Sequence, residues 1–234
     1  MNFIVENAVF DLLPTVCFGV VVARNVNNDD GSEQIITMLD EAVKKTREKY
    51  SSIKPKEHPD LQPYRRAFEK LGINPNRFPC SVEALSSRIA KGGRLPDINP
   101  AVNLVNVYSL HYTLPMGAHD LDSSGSDILV RFSRADDIFI PFGGGKPEVP
   151  DQGELVYAAG NMIKTRKWIW RQSEIGKVTE DSRNIFFPID GFADFNRDTV
   201  QRACDLLAEN LKNRLGGTVT THYLDSTNRS ILLF

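Results

Sequence analysis

Apolar positions are interleaved with polar ones at the start of the chain, then run together in Cys17-Phe18-Gly19-Val20-Val21-Val22-Ala23. A continuous apolar run closed by the turn-forming cluster Asn25 to Ser32 predicts a buried strand. Beyond it, Ile35, Ile36, Leu39, Ala42 and Val43 recur at helical spacing behind Ser32, a residue type suited to capping a helix. The charged 44–49 stretch reads as the solvated end of that helix. Pro55, Pro59 and Pro63 punctuate a loop, after which Tyr64, Phe68 and Leu71 share one helical face that ends at Gly72. A further helix is predicted from Ser81, using Val82, Leu85 and Ile89.

From about residue 100 the pattern changes. Short β-rich runs at 128–132, 137–142, 154–159, 166–170 and 184–189 are separated by Gly, Pro, Asp and Ser clusters. A long helix follows over 197–215, with Val200, Cys204, Leu207, Leu211 and Leu215 on one stripe and Gly216-Gly217 as its stop. A closing strand, Thr218 to Tyr223, leads into the apolar tail Ile231 to Phe234. There is no internal repeat and no linker long enough to separate units. The pattern predicts one α+β domain over 1–234, with short strands in mixed or antiparallel sheets packed with helices.

Composition narrows the function classes. The 234 residues include 28 Lys+Arg against 30 Asp+Glu, a formal charge of −2. That balance excludes a polybasic nucleic-acid coat, whose affinity comes mainly from neutralising phosphates, so any nucleic-acid contact must be a local patch. Cys17, Cys80 and Cys204 form no C-x-x-C pair, and an odd, widely spaced set suits buried free thiols in a reducing compartment. No histidine sits at metal-ligand spacing with a cysteine, so no metal and no cofactor is expected. The start MNFIVENAVFDLLP lacks a basic n-region, and no apolar run approaches the ~20 residues of a membrane helix. A soluble, cytoplasmic protein without a membrane partner is the expectation.

Familiar catalytic templates are missing: there is no G-x-S-x-G elbow, Walker loop or H-E-x-x-H. Gly143-Gly144-Gly145-Lys146 lacks the following Ser or Thr, and Pro147 argues against a helix start, so it reads as a hairpin turn. Two stretches stand out. In residues 99–122, Asn103, Asn106 and Ser109 recur at helical spacing and would aim a polar stripe either at a ligand or at solvent. Downstream lie Gly117, where backbone can approach a ligand closely, and His119. In residues 164–187, strand alternation would put Lys164, Arg166, Trp168 and Trp170 on one face and Lys167, Ile169 and Arg171 on the other. Cations beside tryptophans suit either a nucleic-acid surface, with stacked bases and held phosphates, or a core whose tryptophans are covered by Arg stems.

At these stretches the sequence resembles the B3/B4 domain of the bacterial-type phenylalanyl-tRNA synthetase beta subunit. RIAKGGRLPDINPAVNLVNVYSLHYTLPMGAHDLD, from Arg88 to Asp122, follows the family order, with Asn106, Pro115, Ala118, Asp120 and Leu121 matching. SEIGKVTEDSRNIFF, residues 173–187, resembles a later family segment. The resemblance covers roughly 60–215 and leaves 1–59 as an N-terminal strand-helix extension. It implies the domain that houses the synthetase's editing site, which hydrolyses tyrosine wrongly esterified to phenylalanine tRNA. The family residues carry over as Asn106 lining the pocket and Glu174 at the acidic position that contacts the amino-acid side chain. The family's pocket histidine falls at Gly117 here, while His119 takes the place of a family phenylalanine. The substrate amino acid is therefore open, and so is the oligomeric state.

The resemblance implies a trans-editing hydrolase that cleaves the aminoacyl ester of mischarged tRNA. Its expected partners are the tRNA acceptor end and an amino acid moiety. With Glu174 and Asn106 carried over for substrate, the residues themselves add Gly117 beside the substrate, His119 as the expected catalytic group, and Arg166, Trp168 and Arg171 as expected nucleic-acid contacts. The alternatives are a non-catalytic tRNA or amino-acid binder that retains the pocket, and a small-molecule enzyme reusing the fold.

Overall fold

The computed structural model describes residues 1–29 and 33–234. Ser32, expected to cap the first long helix, lies outside the described residues. Two sheets and a helical layer stack on one another. The first sheet is mixed and runs β10-β1-β4-β5-β6-β7, in which β1 (Asn2–Val5) pairs parallel with β4 (Ile128–Phe132). Its other members are β5 (Leu155–Ala159), β6 (Met162–Arg166), β7 (Arg171–Gln172) and β10 (Ser230–Leu232). The second is antiparallel, in the order β3-β8-β2-β9, from His119–Asp120, Ile185–Phe192, Val16–Arg24 and Thr218–Leu224.

β2 explains the apolar run. Its Phe18, Val20 and Val22 face the core between the sheets, with Phe3, Tyr157 and Trp168. Its Cys17, Val21 and Ala23 face a second core against helices α5 (Pro100–Tyr112) and α6 (Arg197–Leu215). A strand covered on both faces loses the alternation of a half-exposed one. Residues 1–59 thus supply β1, inside one sheet, and β2, inside the other.

The expected helices are found as α2 (Glu33–Lys49), α3 (Gln62–Lys70), α4 (Ser81–Ala90), α5 and α6. Gly72 has φ +72°, which suits glycine at the end of α3. The first helix, α1 (Asn7–Leu12), interrupts what the pattern suggested was strand, because six residues are too few to establish a helical period. Two expected strands are corrected. Residues 137–142 make only isolated bridges, Phe139 with Glu148 and Pro141 with Ser173 among them. Residues 166–170 turn instead of extending: Lys167 and Trp168 have φ +45° and +62°, so the alternation ends at Arg166. The Gly143–Gly145 turn lies in a hairpin closed by the Phe139–Glu148 bridge.

Candidate functional site

The polar stripe of α5 divides by position. Asn99 caps the helix by accepting the Val102 N–H at 3.1 Å, and Asn103 ties down the preceding loop through Asp97 at 2.6 Å. Ser109 donates to the Leu114 carbonyl at 2.7 Å. Asn106 alone of Asn103, Asn106 and Ser109 lines an open groove of about 630 Å³, shared with Arg88, Ile98, Phe142, Gln172 and Lys177. Phe142 is 52% exposed, an apolar ring left in solvent at this groove.

After α5 the chain runs antiparallel to β8. The Gly117 N–H donates to the Pro188 carbonyl at 3.0 Å, and the Asp190 N–H to the Pro115 carbonyl at 3.0 Å. This pairing brings Gly117 and His119 to a cavity of about 60 Å³, with Tyr157, Thr165, Trp168, Gln172, Pro188 and Asp190 in its wall. A Cβ on Gly117 would lie 3.4 Å from His119 Nε2, so the imidazole sits beside the position where the family histidine would begin. Gln172 lines both cavity and groove, so the two adjoin. It donates to the Ala118 carbonyl at 2.5 Å and lies 3.5 Å from His119 Nδ1.

His119 is buried, and burial, helped by the Lys164 charge, pushes its pKa down to about 3. It is therefore a neutral hydrogen-bonding ring at neutral pH. Asp190 behaves in the opposite sense: burial raises its carboxyl to about 7, although hydrogen bonds from Tyr157 and Trp168 favour the charged form. The residue pattern offers a sign of Asp190 in retrospect. In the apolar strand IFFPIDGF it shares the parity of Phe186 and Pro188, so it must point between the sheets.

The other expected site residues are placed elsewhere. Glu174 lines neither the cavity nor the groove. It pairs with Lys177 and accepts the Gly143 N–H at 3.2 Å, and these contacts hold its carboxyl below the usual range. Lys177 does line the groove, so Glu174 stands next to it through its partner. Trp168 is fully buried and donates its indole N–H to Asp190 Oδ1 at 2.7 Å. Arg166 is buried too, bonded to Glu154 at 2.8 and 3.0 Å and to Glu148 at 2.7 Å. The expected basic-aromatic surface is corrected here: the turn at Lys167 and Trp168 sends these groups inward, where the acids of the 148–154 loop neutralise them. Arg171 stays 39% exposed, 3.7 Å from Glu148.

Among the described residues, no group of three or more His, Cys, Asp or Glu is placed to hold a metal, and no helix is long and apolar enough to cross a membrane. No curated protein matches the sequence. The fold is similar to the N-terminal fragment of the phenylalanyl-tRNA synthetase beta subunit from Pyrococcus horikoshii. The TM-score is 0.46 and the identity 11%, over 93% of this chain and 49% of that one. The chain thus spans about half the length of that solved relative. Residues 63–215 match the B3/4 domain family, and the chain, of which this is more than half, belongs to it.

Proposed function

We propose that the protein hydrolyses the aminoacyl ester of mischarged tRNA made by another enzyme. The observation that carries the reading is that Gln172 lines both a small cavity holding His119 and Asp190 and the groove beside it. A cavity of 60 Å³ equals about two water volumes of ~30 Å³ each, and an aromatic ring needs far more, about 150 Å³ in an enclosed apolar site. The ester carbonyl and the attacking water belong in the cavity. The amino-acid side chain and the terminal nucleotide belong in the groove. An aminoacyl ester is already activated, so positioning and polar groups around the oxyanion supply most of the rate.

In this reading Asn106 lines the substrate groove, Gly117 opens the cavity mouth, and His119 orients water as a neutral ring. Glu174 holds Lys177 at the groove. Phe142 stacks the terminal adenosine, with Arg88 and Lys177 on its phosphates, taking the place assigned from sequence to Arg166 and Trp168. Arg171 remains an outer contact. The low pKa of His119 favours one second reading, a binder without turnover, because so weak a base draws a proton from water poorly.

Incubation with a panel of mischarged tRNAs is expected to release the amino acid from at least one. Phe142→Ala should raise the tRNA concentration needed by about tenfold, the worth of one stacked base. Saturable, salt-sensitive binding without release selects the second reading. Neither binding nor release rejects both.

A further inference from the structure

We propose that Asp190 is the proton acceptor of the cavity, taking a proton from a water held there as that water attacks the ester. The assignment rests on the deacylase reading above. Asp190 is 2% exposed, yet it lines the cavity together with His119, Thr165 and Gln172. Its two side-chain hydrogen bonds land on the same oxygen: Tyr157 Oη and Trp168 Nε1 each donate to Oδ1 at 2.7 Å. Among the described residues no hydrogen bond goes to Oδ2, and we assign that oxygen to the cavity that Asp190 lines. The space holds about two waters, and a buried water needs two to four polar partners. Asp190, His119, Gln172 and Thr165 supply them.

A purely structural role explains less. If the residue served only to anchor Tyr157 and Trp168, an amide oxygen would accept both bonds without burying an ionisable group. The backbone is also strained in favour of this arrangement. Lys167 and Trp168 occupy the left-handed region in succession, and that turn aims the Trp168 N–H at Oδ1. Strain of this kind is retained where the surroundings over-determine it, and here it fixes which carboxylate oxygen stays free.

The groups facing Asp190 are Tyr157 from β5, Trp168 from the turn, Tyr64 from α3 and His119 from β3, while Cys17, on the other face of β2, acts on it only through charge. Burial holds the tyrosines and Cys17 protonated and His119 unprotonated at neutral pH, so the carboxyl is the one group of this set that titrates there. The titratable groups that act next on this set are Lys164, on His119, Arg197 and Asp225, on Cys17, and Cys80, on Tyr64. A base whose pKa lies near the working pH combines availability with driving force.

Water oxygen bonds to the acyl carbon while one water proton passes to Asp190 Oδ2. The tetrahedral intermediate then breaks its bond to the ribose oxygen, which takes the proton back from Asp190. The products are the free amino acid and tRNA with its terminal ribose hydroxyl restored, and the carboxylate is regenerated.

The test is single-turnover hydrolysis of the mischarged tRNA that the wild type cleaves best, from pH 5 to 9, with tRNA binding measured in parallel. Wild-type rate should rise with pH and level off above about 7. Asp190→Asn should slow hydrolysis by at least about 100-fold with tRNA binding unchanged. Tyr157→Phe removes a donor that favours the carboxylate, so its rate midpoint should move to higher pH, a shift that a structural role would not produce. This second variant and the wild-type profile decide the matter if Asp190→Asn does not fold. Folded Asp190→Asn within threefold of wild type overturns the assignment and leaves the deacylase reading standing, as does an unmoved midpoint in Tyr157→Phe. A wild type that cleaves nothing on the panel overturns both.

Discussion

Arg166 shows how one side chain can carry opposite meanings in sequence and in space. Between Thr165 and Lys167 it reads as part of a cationic stretch, but its guanidinium forks onto the Glu154 carboxylate, whose side chain is almost wholly buried. Burial alone would raise the Glu154 pKa; the hydrogen bonds from Arg166 and Lys167 overcome it and hold the carboxyl below its ordinary value. Without Arg166, Glu154 keeps the Lys167 ammonium and backbone N–H, so the cost falls below the about 3–5 kcal/mol of a buried charge left wholly unpaired. Arg166→Met is therefore expected to lower unfolding free energy by about 1–3 kcal/mol in urea, the range for hydrogen bonds to charged groups, with tRNA affinity of the folded protein unchanged. Arg166→Met combined with Glu154→Gln should recover part of the loss. A drop in affinity at full stability would return Arg166 to the nucleic-acid surface.

At the level of elements, the close approach of α6 to β2 depends on Gly19. A Cβ there would collide with Cys204 Sγ and would stand 2.7 Å from Val200 Cγ1, both on the inward stripe of α6. The apolar stripe of α6 is readable from its spacing, and so is the strand it covers. The distance between them is not, because it depends on which small residue meets which side chain across the interface. Gly19→Ala should cost about 1–3 kcal/mol by pushing the helix away. Cys204→Ala should partly rescue it, with a coupling of at least about 0.5 kcal/mol in a double-mutant cycle from thermal melts. Additive effects would show that helix and strand do not meet there.

For the whole molecule, the same burial that shapes the cavity sets two opposed pH dependences. Asp190 is raised from 3.8 to about 7, so the folded state keeps a proton the unfolded chain gives up, and stability from this group falls as pH rises from about 4 to 7. His119 is lowered from 6.5 to about 3, so its contribution is present above about 6.5 and is lost as pH falls toward 3. Each full shift is worth on the order of 4 kcal/mol. Denaturant titrations at several pH values should show Asp190→Asn gaining stability relative to wild type as pH rises from 4 to 7, and His119→Gln gaining as pH falls from 6.5 to 3. Parallel curves for variant and wild type would mean that solvent reaches these groups.

Much of the fold is legible in local pattern because burial imposes period: the two-sided burial of β2, the face of α3 and the stripe of α6 each leave a regular mark on neighbouring residues. α5 and the placement of Gly117 near His119 were legible for the same reason, since each follows from residues a few positions apart. The strand expected over 166–170 failed because alternation cannot report a left-handed turn at Lys167 and Trp168, which is imposed by contacts with Leu155 and Asp190. By itself, then, the sequence determined the α+β class, most of the elements, the B3/4 kinship and the near-zero charge. Tertiary structure alone decided that Arg166, Lys167 and Arg171 of KTRKWIWR are answered by Glu148, Asp151 and Glu154, that Glu174 turns to Lys177, and that Asp190 meets His119 in one cavity. Charge, solvation and proton affinity depend on neighbours brought together from distant parts of the chain, and those neighbours exist only after folding.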